Sequence, residues 1–385
     1  MASASYTAAQ STDQAGLTRA WMEAAAGQTK PAPYGRSFVL LALLPAVLAL
    51  LLSGCAKPLL ACPRTVKIPA PLIPPEHASL VFFATDRLPA TGEGLGFSEE
   101  LNPADDPMSY GSICANPTGG RRDCNSASRL LDKEQFLERI RATHSDVVLF
   151  VHGFNYTFDE SVETTLSIVQ RTRFPATPVA YNWPSQGKVT AYGIDRDMSE
   201  WTIDHLTDFI RDLAGAMPEG FHLHIMAHSM GNGAVLLALA HLNLTDRRLG
   251  QLILIAPDVD ANIFKVTILH AGTFQRKTLY VSNHDLALRA AGFLHSGTSR
   301  IGDATKQYVV VEGVDTVDMS PLRAGITGHS LYEYSQLMFD DLGEVLQGKP
   351  ATGRNLTSCT VKTVQSFNLA HGTALPCVVY QLPSK

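Results

Sequence analysis

Charge is scarce in this chain, and neither sign dominates. Only 17% of the 385 residues are Asp, Glu, Lys or Arg, with 31 basic against 36 acidic side chains and a formal net charge of -5. No basic excess exists to condense on a phosphate backbone, so nucleic acid is not an expected partner. Cysteine is sparse as well. The six residues, Cys55, Cys62, Cys114, Cys124, Cys359 and Cys377, include no CxxC and no Cys/His cluster, and a metal site is not expected. Cys114 with Cys124 and Cys359 with Cys377 are the sequence-close pairs that an oxidising compartment could join; otherwise they are loop thiols. No internal repeat is visible, which excludes a solenoid.

What the chain does have is apolar content, 45%, enough for a substantial core. The length suits one α/β enzyme domain of ~250 residues with appended segments. Residues 1–36 are rich in Ala, Ser, Thr and Gln and read as a disordered leader or an over-extended start. Phe38 to Leu52 is an uncharged apolar run with Arg36 before it and Pro45 inside it. It is shorter than the ~20 residues of a spanning helix and has the basic flank and short apolar core of a secretory signal. Its end, Leu52-Ser53-Gly54-Cys55, resembles a bacterial lipobox, which makes Cys55 the expected lipidation site. The expectation is therefore a lipoprotein of the cell envelope facing the periplasm or the exterior. The alternative is a single uncleaved N-terminal anchor within 37–54. Residues 55–76 hold prolines at 58, 63, 69, 71, 74 and 75, and read as an extended tether.

From residue 77 to 347, short apolar runs alternate with amphipathic stretches. Strands are expected at 79–85, 146–151, 179–183, 221–227, 252–256, 278–281 and 307–311. Helices are expected at 132–143, 158–172, 197–214, 230–242 and 331–346. Segment 86–126 holds a weak strand and a hairpin that the pattern does not place, and 348–385 reads as a C-terminal extension. Asp146-Val-Val-Leu-Phe-Val151 is apolar almost throughout, as in a parallel strand covered on both faces. Strands alternating with helices imply a doubly wound, mainly parallel sheet of the α/β class in a single catalytic domain, with ligands beyond the carboxyl ends of the strands.

The most specific motif is Ala227-His228-Ser229-Met230-Gly231, between an expected strand and an expected helix. A nucleophile held on such a strained turn needs small neighbours two residues away on either side, and Ala227 and Gly231 supply them. Alanine departs from the usual glycine at the first of these positions. The second motif, His152-Gly153-Phe154-Asn155, follows the strand ending at Val151. Acyl transfer needs backbone N–H donors where an oxyanion forms, and those of Phe154 and Met230 are the candidates. His152 precedes Ser229, the wrong chain order for the base of this fold, and is read as shaping the loop. Among the histidines after the nucleophile (His241, His270, His284, His295, His329 and His371), His329 is preferred because it lies between the last expected strand and the terminal helix. For the acid, Asp285 is preferred and Asp258 kept as the alternative, since both follow strands. Asp303, Asp315 and Asp318 are read as solvated loop residues. Gly153, His152, His228 and Trp183 are expected near the pocket, although a core position is an equal reading for Trp183. Asp195, in Gly193-Ile-Asp-Arg-Asp197 before a helix, is expected to be structural.

Taken together, VLFVHGFNYTF, NWPSQG, AHSMG, IAPDVDA, SNHDLAL and GHSLY resemble the bacterial α/β-hydrolases grouped as a domain of unknown function (DUF900), over roughly 80–345. The resemblance implies a triad of Ser229, Asp285 and His329, no particular substrate, and nothing about 1–75 or 350–385. The function expected is a serine esterase or related acyl hydrolase that needs no cofactor and acts on a small-molecule or lipid acyl substrate. The alternatives are a noncatalytic binding or scaffolding module of the envelope on the same fold, or an acyltransferase in which an alcohol replaces water.

Overall fold

The structure, a computed structural model, describes residues 80–91, 95–114, 128–242, 248–295, 297–322, 329, 336–360, 364–367 and 378–383. The leader, apolar run, lipobox and tether lie outside the described residues. Among the described residues, no helix is long and apolar enough to cross a membrane.

The apolar strand at Asp146–Val151 (β6) is the centre of the architecture. Val147, Leu149 and Val151 join one buried cluster, whereas Val148 and Phe150 join another on the opposite face. A strand alternates its side chains, so burial on both faces demands a helical layer on each side. One layer contains α1 (Lys133–Ala142), α4 (Ile203–Ala216), α5 (Gly231–Leu242) and α6 (Ala261–His270), and the other contains α2 (Phe158–Thr172) and α8 (Gln336–Leu346). Capping boxes open α1 at Asp132 and α2 at Thr157, each satisfying two otherwise unpaired backbone donors.

Among the described residues, the large sheet has 11 strands. Its parallel body runs from β15 (Val378–Gln381) through β12 (Val314–Asp318), β10 (Arg276–Val281), β9 (Leu249–Ile255), β8 (Leu223–His228), β6 and β7 (Ala176–Asn182) to β1 (Leu80–Thr85). Antiparallel strands β13 (Thr357–Thr360) on one edge, and β4 (Ser109–Cys114) and β5 (Arg129–Leu131) on the other, complete it. The C-terminal extension thus adds strands to this sheet. From β6 the chain moves to β7 on one side and then to β8 on the other. A crevice opens where such a sheet changes direction, at the carboxyl ends of β6 and β8. The HGFN loop leaves β6 there, and the Ser229 turn leaves β8.

The segment 86–126, expected to hold a weak strand and a hairpin, contributes β4 and a small antiparallel pair, β2 (Arg87–Pro89) and β3 (Phe97–Leu101). Other sequence expectations are corrected. The helix expected at 197–214 is two helices, α3 (Tyr192–Trp201) and α4, interrupted at Thr202. There the Thr202 hydroxyl turns to Asp86 Oδ2 at 2.5 Å and lies 2.7 Å from the Tyr181 hydroxyl, so a buried polar cluster fixes the break. Helices α6 and α7 (Leu286–Leu294) were not anticipated. The strand expected at 307–311, found as β11 (Tyr308–Val311), pairs with β14 (Val364–Phe367) outside the large sheet, and β12 takes the place beside β10. Asp318, expected in solvent, is buried and accepts hydrogen bonds from Ser320, the Tyr308 hydroxyl and Gln381. Asp315 likewise lies in β12, facing Arg276 at 3.8 Å. Cys114 is in a disulfide bond; Cys124 lies outside the described residues.

Candidate active site

Ser229 sits at φ 50°, in the left-handed region that a residue with a Cβ occupies only under constraint. The constraint is explicit. Its N–H donates to Ile255 O at 3.0 Å, and its carbonyl accepts from Asp258 N–H at 3.1 Å and Asn232 Nδ2 at 2.9 Å. Asn232 also donates to Ile255 O at 3.1 Å, so one buried amide ties the turn to the end of β9. Two glycines make the close packing possible. A Cβ on Gly231 would lie 2.2 Å from His152 O, and one on Gly153 would lie 2.8 Å from Ser229 Cβ. Absence of both side chains lets the HGFN loop and the Ser229 turn touch backbone to backbone.

His329 Nε2 lies 2.8 Å from Ser229 Oγ, and His329 Nδ1 lies 2.7 Å from Asp285 Oδ2. With the serine hydroxyl donating to Nε2, the ring proton sits on Nδ1 and is donated to the carboxylate. Asp285 is fully buried and also caps α7, its Oδ1 accepting from Leu288 N–H at 2.9 Å. Helix capping and histidine contact thus use the two oxygens of one carboxylate, which fixes its orientation. Below the imidazole, His228 Nε2 donates to His329 O at 3.3 Å, with ring centroids 4.9 Å apart. Burial, then the neighbouring His329, push His228 well below the ordinary histidine range, so it is a neutral prop.

Asp258, the alternative acid, is turned away. Its carboxylate faces Arg300 Nε at 2.8 Å and accepts from the Tyr192 hydroxyl at 2.6 Å. Of the remaining histidines, His241 and His270 end α5 and α6, and His295 faces Tyr192 and Arg196. His152 is fully buried, stacked on Trp183 at 4.7 Å, with Nε2 3.1 Å from Trp183 O and Nδ1 2.9 Å from Gly153 O. Burial, then Arg87, lower it to about 3, and it remains neutral. Trp183 returns the contact, donating to His152 O at 2.9 Å. It belongs to the core beneath the loop and not to the pocket wall, because its ring is consumed by the His152 stack.

Three residues that support the site were not singled out, or not for this role. Arg87 is fully buried and donates to Ser185 O at 3.0 Å and Tyr156 O at 2.9 Å. Burial lowers it to about 10, which leaves it charged at neutral pH. Asp195 accepts from Asn155 N–H at 3.1 Å, Ser185 Oγ at 2.5 Å and Gln186 N–H at 2.7 Å, joining the HGFN loop to the NWPSQG loop. Its burial raises its pKa, opposed by these hydrogen bonds. A lone arginine just after a buried strand was the available signal for Arg87; Tyr192 had none.

Beside Met230 opens a cavity of about 100 Å³. Its lining combines apolar Ala234, Leu237 and Val259 with polar Tyr192, Asp258 and Arg300. Phe154 packs edge-on against Tyr192 at 5.4 Å, so the HGFN loop borders it. Among the described residues, no group of His, Cys, Asp and Glu could hold a metal ion, and the N–H groups of Phe154 and Met230 have no intramolecular acceptor.

A doubly wound sheet with a strained strand–turn–helix serine at its switch point defines the α/β-hydrolase fold. The chain belongs to the family described as alpha/beta hydrolase of unknown function (DUF900), whose model matches residues 129–342. Among solved structures it is similar to the Francisella virulence factor BioJ, at 12% identity and a TM-score of 0.28 over 53% of this chain and 77% of that one. A hyperthermophilic esterase from the archaeon Pyrobaculum calidifontis matches at 10% identity and a TM-score of 0.29, over 53% and 77%. Ester-hydrolase EH1AB1 from the metagenome of Lake Arreo matches at 13% identity and a TM-score of 0.32, over 87% and 97%. No curated protein matches.

Proposed function

We propose that this α/β-hydrolase is a serine hydrolase of ester or related acyl bonds, with Ser229, His329 and Asp285 as its triad. The observation that carries the reading is the hydrogen-bonding line from Ser229 Oγ through the imidazole to Asp285 Oδ2, at 2.8 and 2.7 Å. In this reaction Ser229 Oγ attacks the acyl carbon while its proton passes to His329 Nε2. The carbonyl oxygen takes the negative charge and is met by the N–H groups of Phe154 and Met230. The C–O bond to the leaving alcohol then breaks as His329 returns the proton to that oxygen. Water enters, gives a proton to His329, attacks the acyl-enzyme, and releases the acid with Ser229 restored. Asp285 holds the tautomer and offsets the imidazolium charge. No cofactor enters any step. We also place the enzyme at the cell envelope, anchored by lipid on Cys55, on the strength of the LSGC sequence after the apolar run.

The test is intact mass after fluorophosphonate treatment. One adduct on the wild type and none on Ser229→Ala is the expected result. A folded wild-type protein that takes no adduct overturns the reading and leaves a binding module on this fold.

A further inference from the structure

The large apolar side chains left exposed by this fold are not scattered. Six of those among the described residues sit on two helices: Ile263, Val266 and Leu269 on α6, and Leu286, Phe293 and Leu294 on α7. Phe293 is 75% exposed and Val266 61%. Each helix also buries an apolar side, through Phe264 and Ile268 on α6 and through Leu288 on α7. A helix resting on a core in water carries polar groups on its outer face, and one that is apolar all round meets a second apolar phase.

The charges on these helices point to which phase. Between their caps α6 and α7 contain no Asp or Glu, and their charged side chains are Lys265 and Arg289. The chain as a whole is acidic, at -5, so this pairing of exposed hydrocarbon with cations runs against its average. On α3, exposed Ile194 and Trp201 stand among the acids Asp197 and Glu200, so the pairing of exposed hydrocarbon with cations is confined to α6 and α7. At physiological ionic strength charges act over about 8 Å, so a surface meeting these helices feels Lys265 and Arg289, with Asp260 at the cap of α6 the acid nearest Lys265. Exposed apolar residues beside basic ones match the acyl boundary and headgroups of an anionic bilayer.

Both helices also reach the cavity. Ile263 near the start of α6 and His295 just after α7 both line it, together with Met230. Ala261 N–H donates to Ser299 O at 3.1 Å, holding the start of α6 to the chain that leaves α7. From the sequence, residues 56–79 separate Cys55 from the first described strand, a span of at most ~86 Å when extended, ample for the domain to turn a chosen face to a membrane.

We propose that α6 and α7 form a docking face for a bilayer surface containing anionic lipid, set beside the mouth of the cavity. The assay uses the full chain carrying Ser229→Ala, so that lipid is not consumed, with Phe293→Trp as a reporter at an exposed position. Vesicles are phosphatidylcholine with or without phosphatidylglycerol, and bromine on the acyl chains serves as quencher. The N-terminal apolar run can hold the chain on a vesicle by itself, but it does not put residue 293 into the acyl region. Expected are a blue shift and bromolipid quenching of the added fluorescence, stronger with phosphatidylglycerol. Lys265→Gln and Arg289→Gln should each weaken this signal about fivefold, as loss of ~1 kcal/mol per basic residue implies. Protein that cosediments with the vesicles and shows no quenching overturns the proposal. So does a blue shift without lipid that tracks a concentration-dependent dimer, which would assign the face to a second copy of the chain.

Discussion

A single methyl group at Gly231 tests whether backbone contact between the two loops matters for the reaction. The Cβ of Gly231→Ala would meet His152 O at 2.2 Å and Val151 O at 2.9 Å. Real Cβ contacts do not fall below 3.0 Å, so the two segments must part by about 0.8 Å. Both atoms on the far side are backbone at the end of β6, and no side-chain rotation relieves the clash. Overpacking of this kind costs about 1–3 kcal/mol of stability. The larger effect falls on geometry, because the parting separates the Phe154 N–H from the Met230 N–H, and misplacement by about 1 Å costs on the order of 100-fold in rate. The assay is steady-state turnover of a p-nitrophenyl ester, with thermal unfolding measured alongside. Gly231→Ala should lose about 100-fold in kcat while staying folded. Gly215→Ala, in α4 with nothing within 4 Å of its added Cβ, should keep its rate and gain up to about 1 kcal/mol. Wild-type kcat in Gly231→Ala would refute the reasoning, because the proposed oxyanion donors would then tolerate separation.

Asp285→Asn should lower kcat by about 10⁴-fold through the wrong histidine tautomer, yet cost little stability because asparagine still caps α7; equal loss in Asp258→Asn would transfer the acid role. Between pH 6.5 and about 3 the unfolded chain protonates a histidine that folded His152 does not, so stability present above pH 6.5 is lost as pH falls, at up to ~1.4 kcal/mol per pH unit. Urea midpoints measured from pH 7 to 4 should show this slope, with buried His228 adding in the same direction, and a flat profile would contradict it. Cys55→Ala should move the protein from the membrane to the soluble exported fraction in high salt, which weakens docking through basic residues, and retention there would favour an uncleaved anchor.

The fold was legible where burial imposes a period. Asp146–Val151 and Phe158–Thr172 announce themselves by continuous and 3.6-residue apolar patterns, and both occur as read. The pattern failed where tertiary contacts outweigh it. Nothing in the periodicity marks Thr202 as a break, because the break depends on Asp86 arriving from 116 residues away. Helices α6 and α7 were hidden for the opposite reason. α6 is apolar on both sides and only weakly amphipathic, and α7 is a short run of nine residues, so neither stands out in the pattern. At the site, the sequence proposed Ser229, Asp285 and His329, and these are the residues that meet. Motif and chain order suffice for groups beside the turn. The ties from Asp195 to Asn155 and from Arg87 to Tyr156 and Ser185 join loops 40 to 98 residues apart, which local sequence does not encode.

One carboxylate gives the molecule a lever. Asp285 begins α7 with one oxygen and holds His329 with the other, so the helix and the imidazole share a pivot. The far end of that lever is Phe293, projecting from the surface two turns on. Any load that tilts α7, whether from a bound surface or from a crowded neighbour, is delivered to the hydrogen bond that orients the base. The start of the outer helix and the seat of the imidazole then depend on one side chain.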